Sequence, residues 1–213
     1  MIDANAFSSL VLKYSITSKE RADCLLDSLE KTKNVEGDVV ECGVYKGGNI
    51  LGMAEYFYSN KINNKTIYAY DTYSGMTEPS DFDETYTGEK AEHIIYNPII
   101  KCYSGLEEVK NNISNNTKYD CSKIRYVVGD IRQTLNEKNN LPTRVSLLRL
   151  DTDFYDSTKK ELEVFWPLLS KKAIVIIDDY GHWKGCRKAV DEFIKDKNIV
   201  MEEIDYTGRR III

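Results

Sequence analysis

The sequence predicts an α/β fold: a mostly parallel sheet with helices packed against it. Three observations carry this expectation. Short β-rich runs alternate with segments of helical period. The unusual residues, glycines and acids, fall at the ends of those β-rich runs, where an open parallel sheet gathers its loops. A chain of 213 residues with 42% hydrophobic content can fill one core, so a single domain over 1–213 suffices.

Residues 1–36 read as an N-terminal helical segment. In "TSKERADCLLDSLEKTK", Thr17 and Glu20 have capping-box spacing, and Ala22, Leu25, Leu26 and Leu29 form an apolar stripe suited to packing. A turn at Glu36-Gly37 leads into the strand "DVVECGV", a helix to about Ser59 and the strand "TIYAYD". The stretch from Ser74 to Asn97 is polar, dotted with aromatics and aperiodic, which marks an insertion over 74–103 as a lid. Ser104 and Glu107 are placed to cap a helix through about Ile113.

Three strands follow: "IRYVV" at 124–128, "VSLLRLD" ending at Asp151 and "AIVIIDD" ending at Asp179. Between the last two, "STKKELEVFWPLL" reads as a helix with Leu162, Phe165 and Trp166 toward the core and Asp156 or Ser157 at its cap. A final helix over 185–196 precedes "IVMEEIDYTGRRIII", where Thr207-Gly208 between β-rich runs predicts a hairpin.

The net charge of −5, without any Lys/Arg block, argues against nucleic acid as a partner. The five cysteines are scattered, with no Cys-x-x-Cys pair, so neither a disulfide framework nor a zinc knuckle is signalled and a reducing compartment fits. No apolar run approaches the roughly 20 residues of a membrane span, and no basic segment precedes an apolar one at the start. The expectation is a cytoplasmic protein with no membrane partner.

Two acidic pairs dominate the chemistry. Asp151 and Asp153 end one strand, Asp178 and Asp179 the next, and converging carboxylates raise each other's pKa unless a cation intervenes. One acid is enough to cap a helix; two pairs on consecutive strands point to a divalent ion. With oxygen ligands and no His or Cys cluster, that ion is Mg²⁺, Mn²⁺ or Ca²⁺. The first strand leads into "ECGVYKGG", whose glycines suit either tight packing or close approach of a ligand to a helix start. Asp71 ends the second strand where a ribose is commonly held, although it lies farther from the glycines than the roughly 20 residues of dinucleotide-binding chains. Asp130 in "VVGDI" suits either an adenine amino group, with Ile131 on the ring, or a helix cap. Arg149, two residues before Asp151, fits a structural ion pair; Tyr180 and Trp183 fit an apolar wall or a core plug.

Together "VVECGVYKGG", "YAYDTYSGM", "LRLDTDFYDST" and "VIIDDYGHWKGCRKAVDEF" resemble the macrocin O-methyltransferase family of sugar O-methyltransferases, which use S-adenosylmethionine and Mg²⁺. The resemblance runs from about Gly37 to Phe193 and implies a three-layer class I methyltransferase fold, a seven-stranded sheet whose last strand is antiparallel. It implies Asp151, Asp178 and Asp179 as metal ligands and Asp153 as general base. Read from its own place in "DDYGHW", His182 is a competing base, a substrate-binding residue or a plain surface histidine. The resemblance also implies a cofactor wall of Glu41, Gly43, Val44, Tyr45, Gly47, Asp71, Thr72, Asp130, Ile131 and Asp151. The implied acceptor is a hydroxyl of a sugar, nucleotide sugar, glycoside or other vicinal diol. The lid and N-terminal segment match the family pattern only loosely; they are also candidate dimer surfaces.

Three other readings fit parts of the pattern. "LLRLDTDF" with "IIDD" is similar to haloacid dehalogenase-type phosphatases, but here other strands and a glycine turn come first. "YDSTK" matches the Tyr-x-x-x-Lys pair of NAD(P)-dependent reductases, without their Gly-x-Gly-x-x-Gly. A noncatalytic binding module would keep the fold without needing the full acidic set.

Overall fold

Alternation along the strands decides how the layers assemble. A computed structural model describes residues 2–95 and 102–213. Its strands are β1 (Asp38–Cys42), β2 (Ile67–Asp71), β3 (Ile124–Val128), β4 (Val145–Leu150), β5 (Leu169–Ile177), β6 (Met201–Glu203) and β7 (Arg209–Ile212). They form one sheet in the order β3-β2-β1-β4-β5-β7-β6. All neighbours pair in parallel except β7, which runs antiparallel to both β5 and β6. This is the mixed seven-stranded sheet of the expected class I fold.

Successive strand residues point to opposite faces. On one face Val39, Ile67, Leu147, Ile174 and Ile176 pack with helices α1 (Ala4–Leu12), α2 (Lys19–Thr32) and α3 (Gly48–Ser59). Three further helices precede the second layer in the chain: α4 (Ala91–Ile95), α5 (Leu106–Ser114) and α6 (Ile131–Thr134). The other face, with Val40, Cys42, Leu148, Leu150, Val175 and Ile177, packs mainly on α7 (Tyr155–Phe165) and α8 (Lys184–Ile194). Strands buried on both faces read as continuous apolar runs, which is why "VSLLRL" and "AIVII" stand out in the sequence.

The chain order reverses direction between β1 and β4, and at such a switch point the loops at the carboxyl ends part to leave a crevice. The glycine turn, Asp71 and both acidic pairs all follow strands at that end.

Several helix starts differ from expectation. Ser18, not Thr17, caps α2, its Oγ accepting the Arg21 N–H. Gly105 rather than Ser104 precedes α5, without a side-chain cap. Neither Asp156 nor Ser157 caps α7: the helix begins after Phe154, and Ser157 Oγ donates to the carbonyls of Thr152 and Phe154.

The partner of α7 comes from the insertion. Asp83 is buried; its Oδ1 accepts the Tyr155 N–H at 2.8 Å, while Oδ2 accepts both N–H and Oγ–H of Ser80 at 2.7 Å. A carboxylate at a helix start meets both an orphan donor and the positive end of the dipole. Isolated bridges Glu84↔Lys90 and Thr85↔Trp183 tie the same segment down. The described part of 74–103 is thus bonded to the body through Asp83 and Thr85, and Gly75, Met76, Thr77, Ile94 and Cys102 of the expected lid line the cavity; residues 96–101 of that expectation lie outside the described residues.

Asp83→Ala removes three hydrogen bonds from a buried group and should lower unfolding free energy by about 2 kcal/mol in urea titrations. A loss within error would show that the insertion is not docked through this residue.

Candidate active site

A cavity of about 520 Å³ opens at the carboxyl ends of the strands. Its wall includes Gly43, Val44, Tyr45, Asp71, Thr72, Gly129 and Ile131 from the tips of β1 to β3. Asp151, Asp153, Asp178 and Asp179 follow from β4 and β5, and His182, Trp183, Tyr206 and Thr207 from beyond β5 and the β6–β7 hairpin. Ser15, Ile16, Thr17 and Arg21 from the N-terminal segment and Gly75, Met76, Thr77, Ile94 and Cys102 from the insertion also line the cavity.

At the β1 end, Gly43 has φ +85, and a Cβ there would stand 1.8 Å from the Asp151 carbonyl oxygen. The glycine therefore lets the first and fourth strand ends pass close together as well as lining the cavity. Asp71 organises the turn beside it. Its Oδ2 accepts the N–H groups of Val44 and Tyr45 at 2.7 and 3.0 Å, and its Oδ1 accepts that of Tyr73 at 2.7 Å. Tyr45 and Tyr73 have φ of 49 and 51, so the carboxylate helps hold two left-handed residues, Tyr45 at the wall and Tyr73 in the core behind it.

Three residues expected on the cofactor wall are placed off it. Glu41 is fully buried beneath the cavity, its Oε1 accepting from Arg149 Nη1 at 2.8 Å while Oε2 has no hydrogen-bond partner. Gly47 caps α3 in a left-handed conformation and packs against Val109 and Ile113. Asp130 takes the capping alternative: Oδ1 accepts the Arg132 N–H that starts α6, and both oxygens pair with the Arg132 guanidinium.

The acids divide between the two faces of the sheet. Glu41 and Arg149 are register partners, and alternation carries Arg149, Asp151 and Asp178 toward the α2 side. Arg149, buried, donates to Asp151 Oδ2 at 2.7 Å and to Asp178 Oδ1 at 2.5 Å besides Glu41. Arg21 of α2 pairs with Asp178 Oδ2 and, at 3.0 Å, with Asp205 Oδ2. Burial pushes Asp178 up to about 6, opposed by Arg149 and Arg21; burial likewise pushes Glu41 up to about 8, opposed by Arg149.

Asp179 faces the other way, toward Asp153. Strand β4 stops at Leu150, so Asp153 does not continue the alternation; it sits in a left-handed turn with φ 67. Its N–H reaches Asp179 Oδ2 at 3.3 Å, and its Oδ1 accepts the Trp183 indole N–H at 2.7 Å. Burial, reinforced by Asp151, pushes Asp153 up to about 8; burial and the neighbouring Asp153 raise Asp179 strongly.

One ligand oxygen from each of Asp151, Asp178 and Asp179 lies within 4.8 Å of the others. Among the described residues, the acids of this cluster (Glu41, Asp151, Asp153, Asp178, Asp179 and Asp205) face two guanidiniums, Arg21 and Arg149. The surplus of buried acid, the all-oxygen donor set and the partial exposure of Asp151 fit a hard divalent cation.

Arg21, the indole N–H of Trp183, and Glu161 were not signalled as site residues by the sequence. Glu161 Oε1 accepts from Thr152 Oγ1 at 2.9 Å, fixing the residue between Asp151 and Asp153, while Oε2 is buried without a partner. The "YDSTK" pair lies elsewhere: Tyr155 hydroxyl donates to Glu192 at 2.7 Å and is absent from the cavity wall. His182 lines the outer cavity with Nδ1 3.4 Å from the Tyr206 hydroxyl; burial lowers its pKa, so near neutrality the imidazole is uncharged. Among the described residues no helix is long and apolar enough to cross a membrane.

Comparison with known proteins gives a consistent family. The sequence profile described as Macrocin-O-methyltransferase (TylF) matches residues 6–210. Demethyldecarbamoylnovobiocin O-methyltransferase of Streptomyces niveus is 30% identical over 164 residues, 75% of this chain and 59% of that protein. The 8-demethyl-8-(2,3-dimethoxy-alpha-L-rhamnosyl)-tetracenomycin-C 4'-O-methyltransferase of Streptomyces olivaceus is 32% identical over 177 residues, 82% of this chain and 65% of that protein. The matches thus span less than two thirds of these relatives' length. Among solved structures, the O-methyltransferase NovP superposes with a TM-score of 0.82 at 26% identity, covering 93% of this chain and 81% of NovP. The calicheamicin methyltransferase CalS11, at TM-score 0.70 and 18% identity over 98% of this chain and 90% of its own, shares the fold.

Glu161 yields a pH test. Burial raises its carboxyl from 4.5 to about 8, so between those values the folded state holds a proton that the unfolded state has released, and stability falls as pH rises. Glu161→Gln mimics the neutral acid. Urea titrations should find it more stable than wild type by about 2–4 kcal/mol at pH 8, the gap closing toward pH 4. An unchanging gap would contradict the assignment.

Proposed function

The chain belongs to the macrocin O-methyltransferase family, and from that premise we propose that it transfers a methyl group from S-adenosylmethionine to a sugar hydroxyl of a small-molecule acceptor, with a divalent cation. The observation that carries the reading is the convergence of Asp151, Asp153, Asp178 and Asp179 on one cavity with the β1–β2 glycine wall. The named relatives, methyltransferases of novobiocin-type and tetracenomycin-type glycosides, support a sugar-bearing acceptor.

Gly43, Val44, Tyr45, Asp71, Thr72 and Ile131 would hold the cofactor. Asp71 Oδ1 keeps a lone pair free of strong backbone donors, which suits a ribose hydroxyl. Asp151, Asp178 and Asp179 would hold Mg²⁺ or a similar ion, whose contribution when bound is alignment of a diol and stabilisation of developing negative charge on oxygen. The cofactor supplies an already activated methyl group, so what is left to the side chains is to orient the acceptor oxygen and take its proton.

Asp153 does the latter. The indole N–H on Oδ1 and the backbone contact to Asp179 fix the carboxyl in a turn that no ordinary strand would give. Its burial makes the ionised form a stronger proton acceptor than a solvated carboxylate. Glu161, through Thr152, holds the chain between the two site acids. His182, neutral but farther out on the wall beside Tyr206, orients the acceptor instead.

Asp153→Asn keeps the indole contact but removes the base. Transfer of labelled methyl across a panel of glycosides and nucleotide sugars should fall at least about 10²-fold in turnover. Calorimetry should find S-adenosylhomocysteine affinity within about twofold of wild type. Undiminished turnover would remove Asp153 from the mechanism.

A further inference from the structure

Both carboxylate oxygens of Asp178, one of the three candidate ligands, are held by guanidiniums. Oδ1 accepts from Arg149 Nη2 at 2.5 Å, and Oδ2 accepts from Arg21 Nη1. A carboxylate oxygen has lone pairs for two partners, but a dication sharing Oδ2 with a guanidinium would sit a few ångströms from a like charge. For Asp178 to act as a ligand, one of its two arginines has to yield.

The two are not equally free to do so. Arg149 is buried in the sheet and bound at once to Glu41, Asp151 and Asp178, so its withdrawal would strand three acids. Arg21 lines the cavity from α2 and already has a second carboxylate. Its Nε donates to Asp205 Oδ2 at 3.0 Å and to Ser18 Oγ at 3.3 Å. Asp205 is in turn fixed by the β6–β7 hairpin: Oδ1 accepts the N–H groups of Thr207 and Gly208 at 3.0 and 2.6 Å, and Oδ2 accepts the Ser18 hydroxyl at 2.7 Å. The stem of Arg21 lies on Gly208, where a Cβ would stand 3.1 Å from its Cγ and Cδ. The guanidinium is thus anchored at its Nε end and releases Asp178 by turning about that anchor.

Resting on the cation-dependent reading of the site, we propose that Arg21 is a tethered competitor for the cation: it holds Asp178 Oδ2 until a divalent ion takes that oxygen, and then pairs with Asp205 alone. Asp205 is what makes the exchange possible, because the displaced guanidinium keeps a carboxylate partner and is never left buried and unpaired. The ion therefore binds less tightly than the three carboxylates alone would hold it, by the free energy of the Arg21–Asp178 contact. The exchange also reaches the cavity wall. Ser15, Ile16 and Thr17 precede α2, and Tyr206 and Thr207 follow Asp205; all five line the cavity, and the Arg21–Asp205 pair joins their two segments.

Mn²⁺ alone, titrated into the full chain and followed by the electron paramagnetic resonance of the free ion, tests the exchange without turnover. Arg21→Met keeps the stem on Gly208 and removes the charge; it should tighten Mn²⁺ binding at least about tenfold. Asp205→Asn keeps an oxygen for the Thr207 and Gly208 N–H groups and removes the receiving carboxylate; it should weaken binding at least about threefold. In the Arg21→Met background the same Asp205→Asn change should alter affinity by less than about twofold, because no guanidinium is left to receive. Unchanged or weaker binding by Arg21→Met, or an equal loss on Asp205→Asn in both backgrounds, would overturn the exchange and leave Arg21 a fixed structural charge. Should circular dichroism find Arg21→Met unfolded, Asp205→Asn in the otherwise native chain still decides, since unchanged or tighter Mn²⁺ binding there would overturn the proposal. Failure of the wild-type chain to bind Mn²⁺ would overturn the cation reading itself, and the exchange with it.

Discussion

The Arg149 guanidinium is the contact from which the site is built. It lies in the sheet, in register with Glu41, and bridges Glu41, Asp151 and Asp178 across the adjacent ends of three strands. Buried acids at those positions without it would leave uncompensated charge, which costs about 3–5 kcal/mol when one partner of such a pair is lost. Arg21 extends the same network to α2, so the N-terminal helices are held to the site by charge as well as by their apolar stripe.

Adjacent residues in an extended chain point apart, and the pair Asp178-Asp179 uses that. Asp178 is held from one side by the arginines, Asp179 from the other meets Asp153, and both stay within ligand distance of Asp151. The strain at the site has named supports. Left-handed Tyr45 and Tyr73 are held by Asp71, and left-handed Asp153 by Trp183 and Asp179. Such residues cost about 1–3 kcal/mol each and persist where their surroundings over-determine them.

Much of the sheet was legible because β1, β4 and β5 are largely buried on both faces and read as apolar runs; the half-exposed β3 was legible from the β-branched residues of "IRYVV", which coincides with it to the residue. The hairpin was legible from Thr207-Gly208, and the acids from their pairing at strand ends. Helix starts were less so. Ser18 and Thr17 are equally good caps, and the donor at the start of α7 is satisfied by Asp83, remote in sequence. Arg21 sits on a helix whose period signals only packing, and nothing local ties it to Asp178. Trp183 was legible as an aromatic near the site, but its indole hydrogen bond depends on the left-handed turn at Asp153, which no pattern of residue types encodes. Glu41 and Asp130 show that acids at strand ends also serve the fold: one balances a buried arginine and the other caps a helix, contacts that no pattern of residue types marks.

The central claim is that the aspartates following β4 and β5 form a cation site despite their arginine partners. Anomalous diffraction from crystals grown with saturating Mn²⁺ tests it directly. The account predicts one strong peak enclosed by the carboxylates of Asp151, Asp178 and Asp179. A map without that peak, with Asp178 still paired to both Arg21 and Arg149, would contradict it.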